Sequence, residues 1–166
     1  MEKRWIGLFV ENEIGVLARI SGLFSSKSYN IESLTVGTTE DPTVSRMTIS
    51  MISDDKTFEQ IKKQLNRSVE VIKVVDYTNI PIHSKELVYI KVNSCSEKDK
   101  VEIFRLSEIY KFKIIDYNRK SIIIEWIEIE SKINDLIKLF KEAFLNRIEV
   151  ARGGSVAIEA IGIASK

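Results

Sequence analysis

Asn12, Gly15 and Asn30 are the residues whose types and spacing best suit recognition of a small polar ligand. The segment Glu11–Gly15 interrupts a strand-like run and leads into a helix-like one. Gly15 lets the backbone take a positive φ or admit a ligand close to the main chain. Behind it, the amides of Val16 and Leu17 and the positive end of the coming helix favour an anion, such as the carboxylate of a free amino acid. Asn12 carries both a donor and an acceptor, so it either meets the same ligand or braces the turn. Asn30 opens the next strand just after the helix. Its carbonyl can accept from a ligand ammonium, or the residue can cap the helix C-terminus.

Other reactive side chains are sparse. His83 is the single histidine and Cys95 the single cysteine, which leaves little material for a zinc site or a histidine-activated nucleophile. Glu125, Glu128 and Glu130 could hold a metal, but with lysines nearby they read as a solvated face. Arg46 reads as a strand arginine beside the turn at Asp41 and Pro42. Arg152 reads as a solvated strand-end arginine before Gly153 and Gly154, or as an anion contact. None of the seven glycines forms a phosphate-cradling loop. His83 is expected on a linker surface and Cys95 at a strand end.

The elements that must hold the turn follow from hydrophobic spacing. Arg4–Val10 reads as a strand, and Val16, Leu17, Ile20, Leu23 and Phe24 mark one face of a helix. Tyr29–Thr39 and Val44–Ile52 read as strands joined by a hairpin loop, Asp54–Asn66 as an amphipathic helix, and Val69–Tyr77 as a closing strand. After a linker the order repeats: strand Glu86–Ser94, helix Lys98–Tyr110 with Val101, Phe104, Leu106 and Ile109 apolar, strands Phe112–Tyr117 and Ser121–Ile129, helix Lys132–Phe144, and a short strand Arg147–Ala151. The alternation slips between Trp126 and Ile127, which predicts a bulge there. The fold class is therefore α+β, two βαββαβ units over residues 1–78 and 86–166 with a linker at 79–85, each an antiparallel sheet with helices on one face. Units this small have marginal cores, so burial between them or in a symmetric homodimer is expected.

Composition bounds the function. Hydrophobic content of 44% with 30% charged residues is that of a folded globular chain. A net charge of +1 gives no electrostatic reason to expect nucleic acid or an anionic membrane as partner. No apolar run approaches a bilayer span, and the residues after Met1 lack a signal-peptide core. With its lone cysteine, the chain is expected in the cytoplasm.

Leu8–Ser25, Tyr29–Val36 and Asp41–Ile49 closely resemble the small regulatory subunit of acetolactate synthase (acetohydroxyacid synthase). Gln60–Leu65, Glu86 with Leu87, Phe112–Asp116 and Ile148–Gly154 continue the resemblance in order across nearly the whole chain. It implies that residues 1–78 form an ACT domain and that the second unit is ferredoxin-like. It also implies a homodimer that activates a catalytic subunit and confers feedback inhibition by valine or a related branched-chain amino acid. Effector contacts then fall on Asn12, Gly15 and Asn30, with Val16, Leu17 and Ile31 beside them. On this reading the chain is no enzyme and carries no cofactor of its own. Thiamin diphosphate, Mg²⁺ and FAD are expected in the catalytic partner.

This sequence departs from the family in its second half. Trp126–Glu130 lacks the glycine that members usually carry before the last helix, and the segment after Gly154 is apolar and variable in character. A stand-alone ACT-type amino-acid sensor acting on another protein is the alternative function. An enzyme is disfavoured because no acid–base or nucleophile set is recognisable.

Overall fold

The computed structural model describes residues 1–26 and 29–162. The chain runs β1 (Glu2–Glu11), α1 (Val16–Ser25), β2 (Ile31–Thr38), β3 (Val44–Ser53), α2 (Asp55–Leu65) and β4 (Val71–Asp76). It then repeats the pattern as β5 (Ile82–Val92), α3 (Glu97–Tyr110), β6 (Lys113–Tyr117), β7 (Ile122–Glu128), α4 (Glu130–Ala143) and β8 (Ile148–Glu159). The strands form two four-stranded antiparallel sheets, β2-β3-β1-β4 and β6-β7-β5-β8. The expected βαββαβ order is thus present twice.

In the first unit, β1 and β3 pair without interruption from Glu2 opposite Ser53 to Glu11 opposite Val44. Alternation sends Ile6, Leu8, Val10, Met47, Ile49 and Met51 to the helix-covered face. Against them pack Val16, Ile20 and Phe24 of α1, one turn apart, and Phe58, Ile61 and Leu65 of α2. Full burial of such side chains is worth about 1.5–3 kcal/mol each, so α1 is held by its packing. Helix α2 has its own start signal, the Asp54 side chain accepting from the Thr57 amide at 2.8 Å.

Among the described residues, the first unit comprises those up to His83 together with residues 156–162; the second comprises Ser84–Ser155. That returning segment lies on the open face of the first sheet. Arg46 Nη2 donates to the Ala157 carbonyl at 2.8 Å and to Tyr77 Oη at 2.6 Å. The Ala160 amide donates to the Pro81 carbonyl at 2.8 Å. Tyr77 lies so close over the sheet that a Cβ on Gly7 would sit 2.8 Å from its ring.

The second unit repeats the logic around Val88, Ile90, Ile122, Ile124, Ile133, Leu136 and Phe140. Helix α3 begins with a reciprocal capping box between Ser96 and Asp99.

Two expectations are corrected here, and α3 adds a finding of its own. No bulge occurs at Trp126: β7 pairs regularly with β5 from Ile122 to Glu128, and Ile127 is simply an apolar residue on the outward face. The irregularity falls instead on β6, between Ile114 and Asp116, and it brings Tyr117 opposite the core residue Ile122 and beside Phe104. On α3 the buried positions are Lys100, Ile103 and Leu106, while Val101, Phe104 and Ile109 are exposed. Finally, β8 does not stop at Ala151. Gly153 and Gly154 lie within it, Gly154 at φ +77°, so glycines that read as a terminator carry the strand through a local bend.

Candidate functional site

The turn between β1 and α1 is built by its neighbours. The Asn12 amide donates to the Thr43 carbonyl at 2.7 Å, and the Glu11 amide to the Glu70 carbonyl at 2.9 Å. Asn12 Nδ2 donates to the Pro42 carbonyl at 2.8 Å, and its Oδ1 accepts from the Ser45 hydroxyl at 3.0 Å. The brace is therefore real: Asn12 ties the turn to the β2–β3 hairpin. That hairpin is itself closed by Asp41, which accepts from the Thr43 hydroxyl and amide. Those two bonds hold the Asp41 carboxyl below its usual range.

Gly15 stands at the N-cap of α1 with φ 86° and ψ −9° and no side-chain cap. A glycine there avoids the Cβ penalty of the left-handed region and leaves the helix end open. Arg19 sits over it: an added Cβ would approach the Arg19 guanidinium to 3.2 Å, and that guanidinium pairs with Glu70 at 2.5 Å.

The two flanking apolar residues behave differently. Val16 is a core residue, 2% exposed, and its amide donates to the Glu13 carbonyl at 3.3 Å; that amide does not await a ligand as the sequence suggested. Leu17 is 43% exposed and brings an apolar side chain to the first turn, where helix amides have no intrahelical partner. Ile14, which the sequence reading passed over, is fully exposed at the top of the turn.

Asn30 and Ile31 lie elsewhere. Ile31 pairs with Met51, near one end of β3, whereas Glu11 pairs with Val44 at the other end. The seven residue steps of strand from Val44 to Met51 span about 24 Å. Asn12, Gly15, Val16 and Leu17 are thus grouped at one end of the sheet, with Asn30 and Ile31 at the opposite end. One copy of the chain does not bring the two asparagines to one small ligand.

The same sheet has its counterparts among known proteins. Residues 6–73 match the AHAS small subunit-like ACT domain, and residues 85–161 match the small subunit of acetolactate synthase. The chain belongs to the acetolactate synthase small-subunit family. Relatives include the acetolactate synthase small subunit of Aquifex aeolicus, 42% identical over 95% of this chain and 81% of that protein. The probable small subunit of Archaeoglobus fulgidus is 45% identical over 94% of this chain and 96% of its own length. The crystal structure of the Thermotoga maritima small subunit superposes with a TM-score of 0.88, at 37% identity, covering 98% of this chain and all of that one. The first unit is accordingly an ACT domain of the small-subunit type.

Elsewhere in this family member, Arg152, Glu128 and Glu125 are taken up by internal pairs. Arg152 grips Glu86 with two bonds of 2.7 and 2.9 Å and reaches Asn134 at 2.8 Å, so it is an ion-pair partner rather than a solvated strand end. Glu128 accepts from Lys85, Lys132 and the Ile129 amide, which hold its carboxyl down to about 2. Glu125 accepts from Tyr89 at 3.2 Å. Among the described residues no group of three or more histidines, cysteines or carboxylates is placed to hold a metal ion. No helix among them is long and apolar enough to cross a membrane.

Proposed function

We propose that this chain is the regulatory subunit of an acetolactate synthase. It activates a cytoplasmic catalytic subunit carrying thiamin diphosphate, Mg²⁺ and FAD, and confers feedback inhibition by valine or a related branched-chain amino acid. The observation that carries the effector site is the separation of the asparagines along β3. The end carrying Asn12, Gly15 and Leu17 offers first-turn amides for a carboxylate; the end carrying Asn30 and Ile31 offers a carbonyl for an ammonium. β2 is an edge strand of the sheet. Two copies placed edge to edge about a twofold axis, with their β2 strands antiparallel, set one copy's Asn12 end beside the other's Asn30 end. The effector is then a bridge between two subunits. It acts by binding one arrangement of the dimer more tightly than another, which the catalytic subunit reads. The protein itself performs no chemistry in this scheme.

The test is acetolactate formation by the catalytic subunit with and without this chain, across a panel of amino acids. Activation by the chain, and its reversal by valine or a relative, is the expected result. Absence of both overturns the proposal, and amino-acid binding without activation moves the chain to the role of a sensor for another partner.

A further inference from the structure

Arg46 is a cation without an anion. Arg4, Arg19, Arg147 and Arg152 each meet a carboxylate: Asp55, Glu70, Asp99 and Glu86 respectively. Half-buried Arg46 meets none among the described residues. Its Nη2 is shared by two neutral acceptors, Tyr77 Oη and the Ala157 carbonyl. Its Nε is sealed from solvent without any partner, and its ring neighbour is the face of Phe9 at 5.3 Å. A cation taken partly out of water gains from an anion close by, because the local dielectric strengthens the attraction.

The guanidinium lines a cavity of about 190 Å³ on the open face of the first sheet. Thr48, on the same face of the ladder as Arg46, brings a hydroxyl to it, Val156 supplies apolar wall, and the β2 segment 35–38 forms its rim. Thr48 Oγ1 accepts from the Ala157 amide at 3.4 Å, which leaves its own hydrogen to donate into the space. Room exists because Gly37 stands opposite Arg46 in the β2–β3 ladder, with no atom within 4 Å of where its Cβ would be. Pockets for drug-sized ligands run to about 300–1,000 Å³, so this one suits a molecule of only a few heavy atoms.

We propose that this cavity is a second ligand site, separate from the Asn12 turn, and that it takes a short-chain monocarboxylate. The carboxylate pairs with Arg46, the Thr48 hydroxyl meets its second oxygen or a polar α-substituent, and the alkyl end rests on Val156. With Nη2 taken by Tyr77 and Ala157 and Nε sealed, Nη1 is the nitrogen left to donate, and the Thr48 hydroxyl beside it offers the second donor that an anion with two oxygens can use.

The test is calorimetric and NMR titration of the full-length protein with lactate and with propionate, with chloride and sulfate as competitors and valine held at saturation. Carboxylate binding that survives saturating valine is expected. Arg46→Gln should weaken it at least about tenfold, a loss of about 1.4 kcal/mol. Because Arg46 also holds Ala157 and Tyr77, the deciding variant is Gly37→Leu, which fills the cavity where no neighbour resists. It should abolish carboxylate binding while leaving the circular dichroism spectrum intact. Unchanged binding in Gly37→Leu overturns the proposal. So does full displacement by chloride, or failure of either carboxylate to bind the unsubstituted protein.

Discussion

The side-chain amide of Asn12 donates to the Pro42 carbonyl at 2.8 Å, which makes the β1–α1 turn and the β2–β3 hairpin one mechanical piece. Its other end accepts from Ser45, a residue only 6% exposed. Asn12→Ala therefore removes a brace as well as a candidate ligand contact. An exposed residue losing two such bonds should cost about 1 kcal/mol of stability, toward the low side of what two hydrogen bonds contribute. Amide exchange at Thr39–Val44 should quicken, and the thermal shift produced by the effector should disappear. Hydrogen exchange and thermal melts with valine check both. Full retention of the valine response in Asn12→Ala would separate that turn from effector binding.

Gly15 tests the helix end directly. At φ 86° any side chain is strained, so Gly15→Ala should lower stability by about 1–2 kcal/mol. Its methyl presses only on the Arg19 guanidinium, the end of a flexible, half-exposed side chain that can shift at some cost to its pair with Glu70. Gly15→Asp adds a carboxylate at the point where a ligand carboxylate is to sit, and like charges repel. The expected outcome is a folded protein that still activates its partner and no longer responds to valine. At about ten times its dissociation constant, an effector stabilises the unsubstituted protein by about 1.4 kcal/mol, and this shift should vanish.

Arg152 and Glu86 give a stability test remote from the effector turn. Glu86 is 3% exposed and both its oxygens are held by Arg152, whose side chain is 35% exposed. Arg152→Met leaves a buried carboxylate unpaired. The expected loss is about 2–3 kcal/mol, below the range for a wholly buried pair because water reaches part of the arginine. Adding Glu86→Leu to Arg152→Met should recover much of it, since no charge then remains buried. Urea unfolding of the single and double variants measures the difference.

Glu128 makes stability depend on pH. Ile129 at the N-cap of α4 provides no side-chain cap, and the Glu128 carboxylate takes over by accepting the Ile129 amide at 2.7 Å, with Lys85 and Lys132 on the same group. These hold its pKa at about 2, below the unfolded value of about 4.3. A depressed acid contributes stability that is fully present above the unfolded pKa and is lost as pH falls through the folded one. Lys85→Met removes the largest of these influences, so Glu128 should titrate higher. The stability gap between the two proteins should be flat above about pH 5 and close progressively below it. Denaturant melts from neutral to acid pH, with carboxylate NMR titration of Glu128, provide the check.

Much of this arrangement is legible in the sequence because the helix stripes and strand alternation are strongly periodic: Val16, Ile20 and Phe24, or Ile133, Leu136 and Phe140, are buried where their spacing places them. What periodicity conceals is long-range. Asn12 and Asn30 lie close in sequence and at opposite ends of the sheet, because α1 carries the chain back along its length. Nothing local announces that Glu86 will meet Arg152, or that the chain beyond Val156 will return to the first unit. Glycine is ambiguous in the same way. Gly15 marks a helix start as its turn chemistry suggests, whereas Gly153 and Gly154 continue a strand they seemed to end.

Gly7 shows how that return is anchored. It pairs with Thr48 in the middle of the first sheet, and the Tyr77 ring occupies the space its side chain would need. Tyr77 in turn accepts from Arg46, which holds the Ala157 carbonyl. Gly7→Ala would drive a methyl to 2.8 Å from a ring that is 4% exposed and has little room to retreat. Overpacking of this kind costs about 1–3 kcal/mol, and the displaced Tyr77 should release Arg46. Tyr77→Phe keeps the ring and removes only the hydroxyl, so it should cost less, about 1 kcal/mol. If the ring contact is the determinant, Gly7→Ala should be the more damaging of the two, and protease cleavage should rise first in the segment after Val156. Equal stability of Gly7→Ala and the unsubstituted protein would mean that Tyr77 does not seat on Gly7 in solution.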